Sequence, residues 1–129
     1  MTSHNLQKML AEANAVIDTI SVHDVLEIAG SPDTVFVDIR ETVERQQNGI
    51  IPSAVHAPRG FLEFIADPQG PMHNEIFISG KRFILFCATG GRSTLATKTL
   101  LDMGFKDVAH IAGGFAAWRE AGGAVNPSP

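Results

Sequence analysis

What this chain has little of narrows its chemistry first. It holds a single cysteine, Cys87, in 129 residues. One thiol cannot close an internal disulfide, so nothing in the sequence asks for an oxidising compartment. Long apolar runs are missing, and none approaches the ~20 residues that cross a bilayer as a helix. The N-terminus lacks the charged-then-apolar order of a secretory signal, so a cytoplasmic protein without membrane contact is the expectation. Positive charge is scarce: 10 lysines and arginines against 14 acidic residues leave a net charge of −4. With no basic run to follow a phosphate backbone, nucleic acid is not an expected partner. The five histidines, His4, His23, His56, His73 and His110, include no pair at ligand spacing, so no metal is expected. There is no internal repeat and no sign of a second domain, and the length suits one domain with a real core.

Against these absences, one stretch concentrates the chemistry. Phe83-Ile84-Leu85-Phe86 is apolar without alternation, the pattern of a strand buried on both faces. Cys87 ends that run. Ala88-Thr89-Gly90-Gly91-Arg92 then makes a Gly-rich turn, and Ser93 to Leu101 reads as a helix. Leu95, Thr99 and Met103, with Leu100 and Leu101 beside them, give this helix its expected apolar face. Taken alone, a cysteine at a strand end is more often a small buried hydrophobe than a nucleophile. Its place at a helix N-terminus argues the other way. Unpaired N–H groups and the positive end of the dipole favour an anion there, which should hold the thiol below the ~8.5 of free cysteine. Gly90 and Gly91 allow several N–H groups to converge on one point, and Arg92 adds a permanent positive charge.

Cys87-Ala88-Thr89-Gly90-Gly91-Arg92 resembles the six-residue active-site loop of rhodanese-domain sulfurtransferases. Val37-Asp38-Ile39-Arg40-Glu41, followed by Gly49 to His56, resembles the first signature of that family, and Ala112-Gly113-Gly114-Phe115-Ala116-Ala117-Trp118 the C-terminal one. One departure is visible: Ile50-Ile51-Pro52-Ser53 stands where the family has His-Ile-Pro-Gly. The resemblance implies an α/β, rhodanese-like three-layer domain, with a central, mainly parallel sheet and helices on both faces. It also implies a structural role for the Asp38 and Arg40 pair.

The rest of the chain alternates strand and helix, as such a domain requires. An N-terminal helix is expected over about 4–17, with Leu6, Met9, Leu10, Ala13, Val16 and Ile17 on one face, packed on its own domain. Asp18 to Ile20 reads as a short edge strand, and Ser21 caps a helix that ends near Gly30. Thr34 to Ile39 is a second buried strand. A polar surface helix, about 41–47, follows it, with Gly49 at its C-cap. Residues 50–58 turn into a short strand, in which His56 reads as a structural histidine rather than a base. Arg59 follows that strand's C-terminal end, the edge at which open parallel sheets bind ligands, and is a candidate second cation. Phe61, Leu62, Phe64 and Ile65 continue as a core helix. The stretch 67–79 contains loop chemistry and a short helix, and its role, a lid or pocket wall on the active-site side among the options, is left open by the sequence. Asp107 to Ile111 is the last strand, and a final helix turns Phe115 and Trp118 to the core. The domain core is expected over 18–122, and 123–129 as a flexible tail.

The function that the resemblance implies is thiosulfate sulfurtransferase chemistry without a cofactor. Cys87 would take a sulfane sulfur from an anionic donor such as thiosulfate as a persulfide, then pass it to cyanide, a thiol or a protein acceptor. Ala88, Thr89, Gly90, Gly91, Arg92 and Ser93 would hold the substrate, with Arg59 beside them, and no proton-transfer group is required. Two alternatives share the loop. One is a persulfide carrier or sulfide-sensing module that docks a protein partner. The other is a cysteine phosphatase or arsenate reductase, although those enzymes place five residues between cysteine and arginine, and this chain places four.

Overall fold

The computed structural model describes residues 5–129. The expected first residue of the N-terminal helix, His4, lies outside them. Thirteen elements follow in order. These are α1 (Leu6–Asn14), β1 (Asp18–Ile20), α2 (Val22–Ile28), β2 (Thr34–Asp38), α3 (Thr42–Asn48) and β3 (Val55–His56). A 3-10 turn (Arg59–Phe61), α4 (Leu62–Ala66) and a second 3-10 turn (Glu75–Ile78) lead to β4 (Arg82–Phe86). The chain ends through α5 (Gly91–Asp102), β5 (Val108–Ile111) and α6 (Gly114–Glu120).

Every strand pairing in the sheet is parallel, in the order β1-β5-β4-β2-β3. The apolar runs of β2, β4 and β5 therefore need cover on both faces, and they receive it. On one face Val35, Val37, Phe83, Leu85 and Val108 pack with Leu62 and Ala66 of α4 and Ala96 and Leu100 of α5. On the other, Phe36, Ile84, Phe86 and Ile111 pack with Val25 of α2 and Phe115 and Trp118 of α6. The expected three-layer α/β architecture, a parallel sheet with helices on both faces, is thus present, with α1 lying against α5 on the first face. From β2 the chain steps outward to β3, whereas from β4 it steps to β5 on the opposite side. The C-terminal end of β4 lies at that switch point, where open parallel sheets leave a crevice.

Several local expectations are corrected. The buried face of α5 is Ser93, Thr94, Ala96, Thr97 and Leu100, and Met103 is exposed. Small side chains let α5 sit close to the strands, so the larger Leu95 and Met103 point elsewhere. Of the α1 stripe, Ala13 and Ile17 are buried, while Leu6, Met9 and Val16 are exposed. Phe61 and Phe64 are also exposed, and pack edge-to-face on each other at 6.5 Å. The 67–79 stretch is no lid over Cys87. Its Phe77 stacks on Phe83 at 5.1 Å and meets Phe105 edge-on, which ties it to the opposite end of β4. The last residues are not free either. Ile50 and Asn126 exchange backbone hydrogen bonds of 2.8 and 2.9 Å, and the Trp118 indole N–H donates to the Ala124 carbonyl.

Candidate active site

β4 delivers Cys87 to the sheet edge, and the turn that follows folds back over its sulfur. Gly90 turns with φ +117°, a left-handed value that caps α5. That turn aims the Gly90 N–H at Cys87 Sγ at 3.1 Å, and the first turn of α5 brings the Ser93 N–H to 3.4 Å. The Ser93 hydroxyl lies 3.5 Å from the sulfur. Thr94 secures the turn from within the helix, its hydroxyl donating to the Gly90 carbonyl at 2.7 Å.

Two opposing influences act on the thiol. Burial, with Cys87 1% exposed, pushes its pKa up. Hydrogen bonds from the Ser93 side chain and from the Ser93, Gly90 and Thr89 backbone push it down. The donors prevail, and the thiol is held below the ordinary cysteine value. This is a pre-formed anion cradle with sulfur at its centre. The Thr89 side chain is exposed, and it is this residue's backbone that acts on the sulfur.

The loop is held in place from below by α6. The Phe115 N–H donates to the Cys87 carbonyl at 2.8 Å, and the Ala116 N–H to the Ala88 carbonyl at 3.0 Å. Such contact needs a backbone without a side chain at the approach. A Cβ on Gly114, whose φ is +62°, would fall 2.6 Å from the Cys87 carbonyl oxygen. Gly114, the first residue of α6, therefore serves the cysteine loop directly.

The cations divide sharply. Arg92 grips Glu44 of α3 with both terminal nitrogens, at 2.7 and 2.8 Å. The hydrogen bond from Arg92 is the main reason that the Glu44 carboxyl is lowered to about 2. Arg40 is buried, donates twice to Asp38 at 3.0 and 2.9 Å, and reaches the Gly49 carbonyl. Its guanidinium also lies 4.0 Å from the Phe115 ring centre. Asp38 and Arg40 thus form the expected fixed pair, and His56 joins it structurally through the Arg40 carbonyl at 2.7 Å. A depression of about 340 Å³ borders the loop, lined by Arg40, Glu44, Ala88, Thr89, Phe115 and Arg119 among others.

Arg59 is not brought to that depression. It pairs with Glu63 one helical turn on at 2.8 Å and donates to the Thr99 hydroxyl at 3.3 Å, lining a different hollow between α1 and α5. A larger hollow, about 630 Å³, opens near Thr34, Lys81 and Trp118, at the strand ends remote from Cys87. Size does not mark the site here; chemistry does.

Two residues of the neighbourhood escape a reading of the sequence. Glu44 neutralises Arg92 from 48 positions away. Its only local sign is a second acid after Glu41, which also serves a capping box at the start of α3. His110 is buried in β5 with its Nδ1 2.9 Å from Ser93 Oγ. The signal available was one polar residue inside the apolar run Val108 to Ile111.

Known proteins of this shape agree with the geometry. The rhodanese-like domain model matches residues 21–121. Among curated relatives, thiosulfate sulfurtransferase 16 of Arabidopsis thaliana chloroplasts is 34% identical, over 88% of this chain and 96% of its own. A mouse thiosulfate sulfurtransferase/rhodanese-like domain-containing protein 3 is 25% identical, over 77% of this chain and 66% of its own length. A solved structure from Rhodopseudomonas palustris superposes with a TM-score of 0.93 at 45% identity, covering 98% of this chain and 97% of its own. That protein is described as one of unknown function and a possible tyrosine phosphatase. A family match over most of the chain, three signatures in order and a buried cysteine at the switch point lead to one conclusion: the chain belongs to the rhodanese-like domain family.

Proposed function

We propose that this protein is a sulfurtransferase that carries sulfane sulfur as a persulfide on Cys87. The observation that carries this reading is the cradle itself. Backbone N–H groups of Gly90 and Ser93 converge on Sγ, and their effect outweighs the cost of burying the thiolate. In the first half-reaction the Cys87 thiolate attacks the outer sulfur of thiosulfate. The donor's S–S bond breaks, and its electron pair leaves with sulfite. The new terminal sulfur carries the negative charge and takes the cradle's donors. In the second, cyanide or a thiolate attacks that sulfur, and the electron pair of the broken bond returns to Cys87. A protein thiol is an equally good acceptor in principle, so a carrier that docks a partner would use the same loop.

Arg92 is the member of the substrate set that the geometry qualifies. Its charge is offset by Glu44 in the resting site, so an anionic donor competes with that carboxylate for it. Uncharged donors, dialkyl trisulfides among them, suit that site as well as thiosulfate does.

The second reading is phosphate-ester hydrolysis, favoured by the description of the R. palustris structure. Two features oppose it. Four residues separate Cys87 from Arg92, one fewer than the phosphatase loop that encircles a tetrahedral oxyanion, and both terminal nitrogens of Arg92 are held by Glu44. One assay separates the readings: thiocyanate formation from thiosulfate and cyanide, run beside hydrolysis of an aryl phosphate, with Cys87→Ser as control. Thiocyanate production that is lost in the variant supports sulfur transfer. Phosphate release without thiocyanate would overturn it.

A further inference from the structure

One buried titratable group, His110, has no part in the chemistry above. It lies in β5 at 4% exposure, in register with Thr19 of β1 on one side and Leu85 of β4 on the other. Its Nδ1 is 2.9 Å from Ser93 Oγ, and its Nε2 is 3.0 Å from Thr19 Oγ1. Ser93 Oγ in turn lies 3.5 Å from Cys87 Sγ. Cys87, Ser93, His110 and Thr19 thus form one unbroken series, from a buried sulfur to an exposed residue on an edge strand.

We propose that Ser93, His110 and Thr19 are a proton path between Cys87 and solvent, in which His110 is a positioning residue that sets where the Ser93 hydroxyl proton points. A neutral imidazole has one N–H and one lone pair, so the hydroxyls at its two ends must be oriented in the same sense. With the proton on Nε2, His110 donates to Thr19 and accepts from Ser93, which leaves a Ser93 lone pair to accept the Cys87 S–H. With the proton on Nδ1, Thr19 donates to Nε2 and Nδ1 donates to Ser93. The Ser93 proton is then free for the sulfur. One tautomer suits the thiol, the other the thiolate.

Conversion between them balances. The thiol proton passes to Ser93 Oγ as the Ser93 proton passes to Nδ1. The Nε2 proton passes to Thr19 Oγ1, and the Thr19 hydroxyl proton goes to water. One proton leaves, no electron moves, and water need not enter the cradle. The Gly90 carbonyl, 3.2 Å from Ser93 Oγ, competes for the hydroxyl proton, but a thiolate is the stronger acceptor. The groups facing His110 are Thr19 from β1, Leu85 from β4 and Ser93 from α5. Asp18 is in register with Ala109 and so points to the other face of the sheet. Burial alone lowers the imidazole below its ordinary value, with no charged neighbour acting on it, and keeps it neutral as the relay needs.

This inference takes Cys87 as the reactive thiol of the proposed sulfurtransferase, yet its test needs no sulfur transfer. The rate of iodoacetamide alkylation at Cys87, the only thiol, is followed against pH for the wild type, His110→Gln and Thr19→Val. The relay predicts that His110→Gln raises the midpoint by about one unit, an about tenfold slower reaction at pH values below both midpoints. Thr19→Val should slow it about two- to threefold, as loss of one hydrogen bond at the far end would. A second readout needs no variant: imidazole nitrogen NMR of the wild-type protein at a pH where Cys87 is ionised. Alkylating Cys87 should move the His110 proton from Nδ1 to Nε2. Superimposable pH profiles for wild type and His110→Gln, or a tautomer unchanged by alkylation, would overturn the proposal. Loss of persulfide formation with a shifted alkylation profile would remove the functional reading and leave the relay standing.

Discussion

At the scale of single residues, the sulfur and its partners make firm predictions. Cys87→Ser should abolish transfer, because a serine alkoxide is not available at neutral pH; retained turnover would remove the nucleophile assignment. Glu44→Gln should release Arg92 toward the donor and lower KM for thiosulfate about two- to fivefold, with little change for an uncharged dialkyl trisulfide, a scale set by a partly exposed ion pair. Equal KM values for the variant and wild type would show that Arg92 does not meet the donor. The same carboxylate has a pH signature. Its pKa falls from 4.5 to about 2 in the folded protein, so its stabilising contribution is present above 4.5 and lost as pH drops toward 2. Thermal unfolding across that window should show a shallower decline for Glu44→Gln than for wild type. Cys87 was legible because strand, glycines and helix start are contiguous around it. Glu44 and His110 were not, because each acts on the loop across a distance in sequence that only the fold closes.

At the scale of elements, the turn into α6 and the segment after it carry more than their composition suggests. The α6 N-terminus donates to the carbonyls of Cys87 and Ala88, so Gly114, which lets the two backbones approach, is part of the site's scaffold. Gly114→Ala should cost about 1–3 kcal/mol from forced displacement of packed backbone, and should also slow Cys87 alkylation by misplacing the loop. Unfolding in urea and the alkylation rate check the two halves; an unaltered alkylation rate would mean that α6 does not hold the loop. Behind α6, a Cβ on Gly123 would lie 2.3 Å from the Trp118 ring, so Gly123→Ala should be destabilising even though it falls in the stretch that reads as a tail. That stretch misleads because its hydrogen bonds, to Ile50 and Trp118, involve backbone atoms that no side-chain pattern announces. The face of α5 misleads for a related reason. Close approach to the strands selects small side chains, so of the expected stripe Leu100 is buried while Leu95, Thr99 and Met103 stand outside the buried face.

At the scale of the whole molecule, the sequence of buried apolar runs separated by helices was enough to specify a parallel sheet covered on both sides. The strand order then places the end of β4 at the switch point, where Cys87 stands. What the runs could not specify is which cation stays free at that edge. Arg40 is taken by Asp38, Arg59 by Glu63 and Arg92 by Glu44, while Arg119, on the same depression, donates to the Asn48 carbonyl; the donors set on the sulfur itself are the backbone N–H groups of Gly90 and Ser93. An anion hole made of backbone serves a small, polarisable sulfur anion well. The most direct measurement is therefore the intact mass of the protein after brief exposure to thiosulfate, with Cys87→Ser alongside. Sulfur transfer predicts a gain of one sulfur atom on the wild type alone, lost again on adding cyanide. An unchanged mass on a protein whose Cys87 still alkylates readily would contradict it.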